Sequence, residues 1–207
     1  DDYLPYIQKA INNYFGFMPV QGGTIQITPY AVSSSEVIIS PGDVVTYTTN
    51  LGTVRPVTGA YAGMILGVAA NGVPALGGST AALLNSGSSQ VLFVYDDPNQ
   101  LFVACCTTSF IIGSTARGKH TAILSTGATG STGINTTLGR SVMAISGAVT
   151  SSVGSFKLMD LHPIEASDYS TDAGGAGVVA SVRKWIVKPN MHWNAQSSGA
   201  QTAVVTT

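Results

Sequence analysis

The chain has 207 residues, 44% of them hydrophobic and only 9% charged, with a formal net charge of −1. That length fits one domain with room for an extension, and an ordinary soluble protein carries roughly 25% charged residues. The balance offers no electrostatic case for nucleic acid, where a basic patch is expected, and low charge with high hydrophobicity is the reverse of the disorder signature. No apolar run approaches the ~18 residues of a membrane span. Ser, Thr, Gly, Ala and Asn replace the usual charged coat. This suits either a robust secreted protein or one whose surface is largely covered by neighbours. Interfaces shed Lys, Glu and Asp from their centres, which favours coverage.

Residues 1–23 stand apart as an N-terminal arm, with Tyr3, Tyr6, Tyr14, Phe15 and Phe17 clustered in a short stretch. Pro5 could open a short helix that Gly16 ends. The opening is acidic and aromatic and does not read as a signal peptide. An arm this aromatic should pack on its own domain or dock on a neighbouring subunit.

Residues 24–194 read as a β domain and 195–207 as a tail. TIQIT at 24–28 alternates strictly, and 36–39 is a short strand. Pro41-Gly42-Asp43 is a turn leading into a strand at 44–48, and 54–57 follows. AGMILGVA at 62–69 is a small-residue strand, in which Gly63 and Gly67 suggest bulges or close backbone approach. Residues 71–89 are rich in Gly, Ala and Ser, with one helical turn expected at 81–85. At the centre, 91–106 reads VLFVYDDPNQLFVACC. Two apolar runs rich in β-formers flank Asp97-Pro98-Asn99-Gln100, where Pro suits the second position of a tight turn. The expectation is a β-hairpin. Both arms are apolar at nearly every position, which predicts burial by the domain's core on one face and by something else on the other.

Beyond it, 110–112 closes a strand. Residues 121–139 predict an extended loop with Thr-rich strand fragments, and 141–148 is a strand. SFKLMDL at 155–161 should pair with VVASVRKWIVK at 178–188. There Val182, Lys184, Ile186 and Lys188 share one face, and Arg183, Trp185 and Val187 the other. Many short strands with close turn signals predict an all-β sandwich or barrel.

Motifs for chemistry are weak. GSTARGKH at 113–120 approaches the phosphate-cradling pattern, with Gly113, Gly118 and Lys119 in place. His120 stands where the Mg²⁺-binding hydroxyl belongs, however, and the TAILSTGATGSTG run at 121–133 cannot sustain the helix whose N-terminus binds phosphate. Gly175-Ala176-Gly177 echoes a dinucleotide fingerprint but lacks a preceding strand. His120, His162 and His192 have no paired spacing of the kind zinc requires and read as turn or surface residues. Asp96 and Asp97 are adjacent, so a strand would aim them apart; a turn cap is the better role. Pro41-Gly42-Asp43 reads as a turn before a calcium ligand. Cys105 and Cys106 read as two small buried hydrophobes. No catalytic residue, metal site or cofactor is predicted.

The order of motifs carries a resemblance. PGDVVTYTTNLGTVRPV at 41–57, GMILGVA at 63–69, the strand-DDPNQ-strand unit and the closing VRKWIVKPNMHW resemble head decoration (cement, or auxiliary capsid) proteins of tailed bacteriophages. The resemblance covers residues 40–193 loosely. Apolar LFVACC departs from the family pattern, in which the second arm is more polar. The resemblance implies a non-enzymatic virion protein, assembled in the host cytoplasm. Such a protein would act as a homotrimer that contacts the major capsid protein and cements neighbouring capsomers on the outside of the shell. Tyr3, Tyr6, Tyr14, Phe15 and Phe17 are the expected interface anchors, because aromatic residues dominate interface energetics. Two alternatives stay open: another virion subunit (capsid, tail or fibre), or a surface carbohydrate-binding β module. The latter would expose Trp or Tyr in a groove, and Trp185 and Trp193 are the only tryptophans.

Overall fold

Every regular element among the described residues is a β-strand, apart from one 3₁₀ turn at Ser114–Ala116. The computed structural model describes residues 16–20, 25–32, 39–48, 52–72, 91–106, 114–124, 134–135, 140–141, 143–151, 153–162 and 184–195. In chain order the strands are β1 (Met18–Pro19), β2 (Ile27–Ala31), β3 (Val44–Tyr47), β4 (Val54–Pro56), β5 (Ala60–Tyr61), β6 (Gly67–Ala69) and β7 (Val91–Tyr95). They continue as β8 (Phe102–Cys105), β9 (His120–Leu124), β10 (Ile134–Asn135), β11 (Arg140–Ser141), β12 (Ala144–Thr150), β13 (Phe156–Leu161) and β14 (Lys184–Pro189).

Two antiparallel sheets hold most of them in a sandwich-like arrangement. The larger, seven-stranded sheet runs β1-β8-β14-β13-β9-β12, with β5 also on β9. The smaller, five-stranded sheet runs β2-β7-β6-β3-β4. This bears out the all-β class, but neither ladder closes into a barrel among the described residues. The smaller sheet curls far enough for a single parallel bridge to join Val32, after β2, to Val54 of β4. Inside the curl lies a small core of Ile39, Val45, Val54, Leu66, Ala69, Leu92 and Val94. Its outer face supplies Val44 and Val68 to a larger core shared with the other sheet, built around Phe102, Phe156, Leu158, Trp185 and Val187.

The central unit differs from the hairpin expected of it. Its turn is as predicted: the Gln100 amide donates to the Asp97 carbonyl at 3.0 Å, and the Asn99 amide to Asp97 Oδ1 at 2.8 Å. Yet β7 pairs with β2 and β6, whereas β8 pairs with β1 and β14. The chain therefore arches from one sheet to the other. The cause is Pro98. Tight two-residue hairpins use turns with φ > 0 at the second position, and the pyrrolidine ring forbids that φ. Tyr95 and Phe102, on either side of the arch, meet edge to face across the inter-sheet core at 6.4 Å.

Other expectations hold or shift locally. β13 pairs with β14 as predicted, Leu158 opposite Val187, and Trp185 and Val187 are buried. Residues 178–183 lie outside the described residues, as do 36–38, 81–85 and 107–113. Of the extended loop with Thr-rich strand fragments expected at 121–139, the first fragment is β9, in which Thr121 and Ile123 alternate inward. The strand expected at 24–28 lies further on, at β2, and runs through Pro29. Gly67 is needed where β6 meets β7: a Cβ there would strike the Tyr95 carbonyl oxygen.

The turn before β3 holds a buried acid. Gly42 takes φ 89°, the Asp43 amide donates to the Ser40 carbonyl at 3.0 Å, and the Ser40 amide returns to Asp43 Oδ2 at 2.7 Å. Asp43 is fully buried. Burial raises its pKa to about 7, outweighing the Ser141 hydroxyl and the Ser40 amide, which favour the charged form. Because the folded value lies above the unfolded one, this group's contribution to stability is complete below the ordinary aspartate value of 3.8. It is lost as pH rises through about 7. Denaturant midpoints should fall between pH 5 and pH 8 in the native chain. Asp43→Asn, which keeps an acceptor for Ser40, should flatten that dependence.

The end of the arm belongs to the fold. Phe17 is buried and stacks on Phe156 at 4.7 Å and 18°, and β1 adds an edge to the larger sheet through Met18 opposite Val103. Phe17→Ala should lower unfolding free energy by about 3–5 kcal/mol, and deletion through residue 23 should lower it at least as much in urea titrations.

Candidate functional site

The alternation of β7 separates its two roles. Leu92 and Val94 point into the curl and are fully buried, whereas Val91 and Phe93 point outward and are 47% and 45% exposed. The register of β2 sets Pro29 opposite Phe93 and Ala31 opposite Val91. Ile27, on the same outward face, is 46% exposed, and Ile25 just before it is 37% exposed. Pro29 and Ala31 are exposed as well. These six residues form a continuous uncharged face along the outer side of the curled sheet.

Backbone hydrogen bonds hold this face in place. Where β6 ends, the Asn71 side chain takes over its pairing: the Phe93 amide donates to Asn71 Oδ1 at 2.7 Å, and Asn71 Nδ2 donates to the Val91 carbonyl at 3.4 Å. The Ala70 amide donates to the Phe93 carbonyl at 2.8 Å. β2 forms the edge of the ladder, and Pro29 lacks the N–H that another strand would need, a common guard against edge-to-edge pairing. The face is thus suited to side-chain contact more than to strand addition. Each large apolar side chain fully covered by a partner would contribute roughly 1.5–3 kcal/mol.

The structure distributes the sequence candidates unevenly. Tyr3, Tyr6, Tyr14 and Phe15 lie outside the described residues. Phe17 is placed in the chain's own core. Sequence reasoning did not select Ile25, Ile27, Pro29, Val91 and Phe93 as site residues, although the unbroken apolar run of β7 was the signal that could have found the last two.

The chemistry motifs fall into structural places. From Ser114 the phosphate-loop lookalike forms the 3₁₀ turn and runs through Gly118 and Lys119 directly into β9 at His120, so no helix follows it. Asp97 caps the arch, but Asp96 turns inward and is buried. His192, expected at a turn or on the surface, is in a turn but buried, because its backbone bridges Ile65. Cys105 and Cys106 are both buried and not disulfide-bonded. Among the described residues no three His, Cys, Asp or Glu side chains gather as a metal site. Among them, too, no helix is long and apolar enough to cross a membrane. No family model, curated protein or solved structure matches the chain.

Alternation gives a direct contrast between neighbours. Phe93→Ser should shift unfolding free energy by less than about 1 kcal/mol, as surface changes do, and should reduce binding of an apolar dye to the free chain. Leu92→Ala, one residue away, should cost about 2–5 kcal/mol.

Proposed function

We propose that the chain is a structural virion protein that binds the outside of an icosahedral phage capsid and cements neighbouring capsomers. The observation that carries this reading is the uncharged outward face of β2 and β7, left open in a chain with only 9% charged residues. A monomer at work in water normally keeps apolar patches small and interspersed with charge. A subunit covered by neighbours does not need to. The order of turn and strand motifs along 40–193 supports the same reading through its resemblance to head decoration proteins.

In this reading the protein is a homotrimer, its partner is the major capsid protein, and it has no catalytic role. A shell under internal pressure gains from many modest, symmetric contacts, because each further contact on a bound subunit forms at high effective concentration. The residues expected to make those contacts are Ile27, Val91 and Phe93, joined by the aromatic segment with Tyr3, Tyr6, Tyr14 and Phe15.

Light scattering of the purified chain, followed by sedimentation with and without phage heads, tests the proposal. A discrete trimer that travels with heads, and that loses both properties in Val91→Ser/Phe93→Ser, is the expected result. A monomer that stays in the supernatant contradicts it.

A further inference from the structure

The two tryptophans have opposite surroundings. Trp185 is fully buried in the inter-sheet core, whereas Trp193 is 38% exposed at one end of the curled sheet. Trp193 is nevertheless held firmly. Its backbone amide donates to the Ile65 carbonyl at 3.0 Å. Its indole Nε1 donates to Thr46 Oγ1 at 3.2 Å, and that hydroxyl donates in turn to the Met64 carbonyl at 2.8 Å. Thr46 is itself buried, so this bond both satisfies the indole donor and fixes the ring's orientation.

A row of rings leads inward from Trp193. Tyr47 meets it edge to face at 5.6 Å, and Tyr30 meets Tyr47 the same way at 6.0 Å. The row ends on Asp96, whose oxygens accept from the Tyr30 hydroxyl at 2.7 Å and the Thr28 hydroxyl at 3.0 Å. Burial, with the Asp96 hydrogen bond next, raises the Tyr30 pKa and keeps the phenol protonated as a donor. His192 beneath is kept neutral by burial, against the pull of Asp96, and its Nδ1 accepts the Asn194 amide at 3.0 Å. The Asn194 side chain reaches Asp96 Oδ2 at 3.5 Å, the limit of a hydrogen bond, and the residue is exposed beside Trp193.

We propose that this end of the curl binds the pyranose ring of a neutral carbohydrate, with Trp193 as the stacking platform and Asn194 as the hydrogen-bonding group at its edge. One face of a pyranose displays C–H groups and its rim displays hydroxyls. Recognition therefore calls for a flat, amphipathic, pre-oriented aromatic ring next to polar groups. The Asn194 Nδ2 is turned toward Asp96 and Tyr30, and its carboxamide oxygen, a two-lone-pair acceptor, suits a sugar hydroxyl. Asp96 and Asp97 both act electrostatically on His192 at this end and Arg55 stands opposite Thr46, so the site holds no excess of positive charge to draw an anionic sugar. The site lies apart from the outward face of β2 and β7 and does not depend on the assembly reading.

Saturation-transfer NMR on the full chain tests it, with methyl glucoside, methyl galactoside and N-acetylglucosamine as probes and N-acetylneuraminic acid as the anionic comparison. The expected result is transfer to the C–H face of at least one neutral sugar, with a Kd on the order of 1–10 mM. Transfer should be lost in Trp193→Ala with the thermal unfolding transition retained. Asn194→Ala, which removes no ring, should weaken binding about tenfold, as loss of a ligand hydrogen bond does. No transfer to any neutral sugar from the native chain would overturn the proposal. So would equal affinity in Asn194→Ala, equal transfer from folded Trp193→Ala, or stronger binding of the anionic sugar.

Discussion

The arch at Asp97-Pro98-Asn99-Gln100 is the constraint on which the rest of the structure depends. Pro98 cannot take the positive φ of a tight two-residue hairpin turn, and the two apolar runs on either side of the arch enter different sheets. β7 then becomes the second strand of the curled sheet and β8 the second strand of the larger one. The inter-sheet core forms between them, with Tyr95 and Phe102 in edge contact. Leu92 and Val94 go to the inside of the curl, while Val91 and Phe93 are left facing out. The arch also carries Asp96 inward, where it anchors Thr28 and Tyr30 of β2 to the end of β7.

Much of this was legible in the residues, and what was not has specific causes. Turn chemistry is local: Asp97 and Pro98 predicted their turn, and Pro41-Gly42-Asp43 theirs. Period-2 alternation put Trp185 and Val187 on one shared face of β14, and both side chains are buried. Pairing across the arch was not legible, because which strand a segment joins is decided by partners distant in sequence. β9 was legible only as a Thr-rich fragment without bounds, because Thr121 fills an inward position usually taken by an apolar residue; its hydroxyl there donates to the Ser146 carbonyl at 2.7 Å. β2 was misplaced because Pro29 reads as a strand breaker, although it is tolerated at an edge. The inward turn of Asp96 carries no local signal, since its partners lie more than sixty positions away.

The candidate surface was half legible. A run apolar at every position demands cover on two faces, and the structure supplies cover on one. The aromatic anchors expected of the arm meet a different outcome at Phe17, whose ring is part of the core and stacks on Phe156. Low charge, an outward apolar face and a proline-guarded edge together describe a chain suited to broad, uncharged contact and protected against strand pairing at that edge. The pre-oriented Trp193 at the end of the curl adds a second surface of different chemistry, mixed aromatic and polar where the first is purely apolar.

Hydroxyl-radical labelling of Ile27, Val91 and Phe93, compared between the free chain and the assembled particle, tests the central claim most directly. If a partner covers that face, as proposed, all three residues label strongly in the free chain and lose that labelling in the particle. Equal labelling in both states would mean that the face stays open to water and that the proposed contact is not made there.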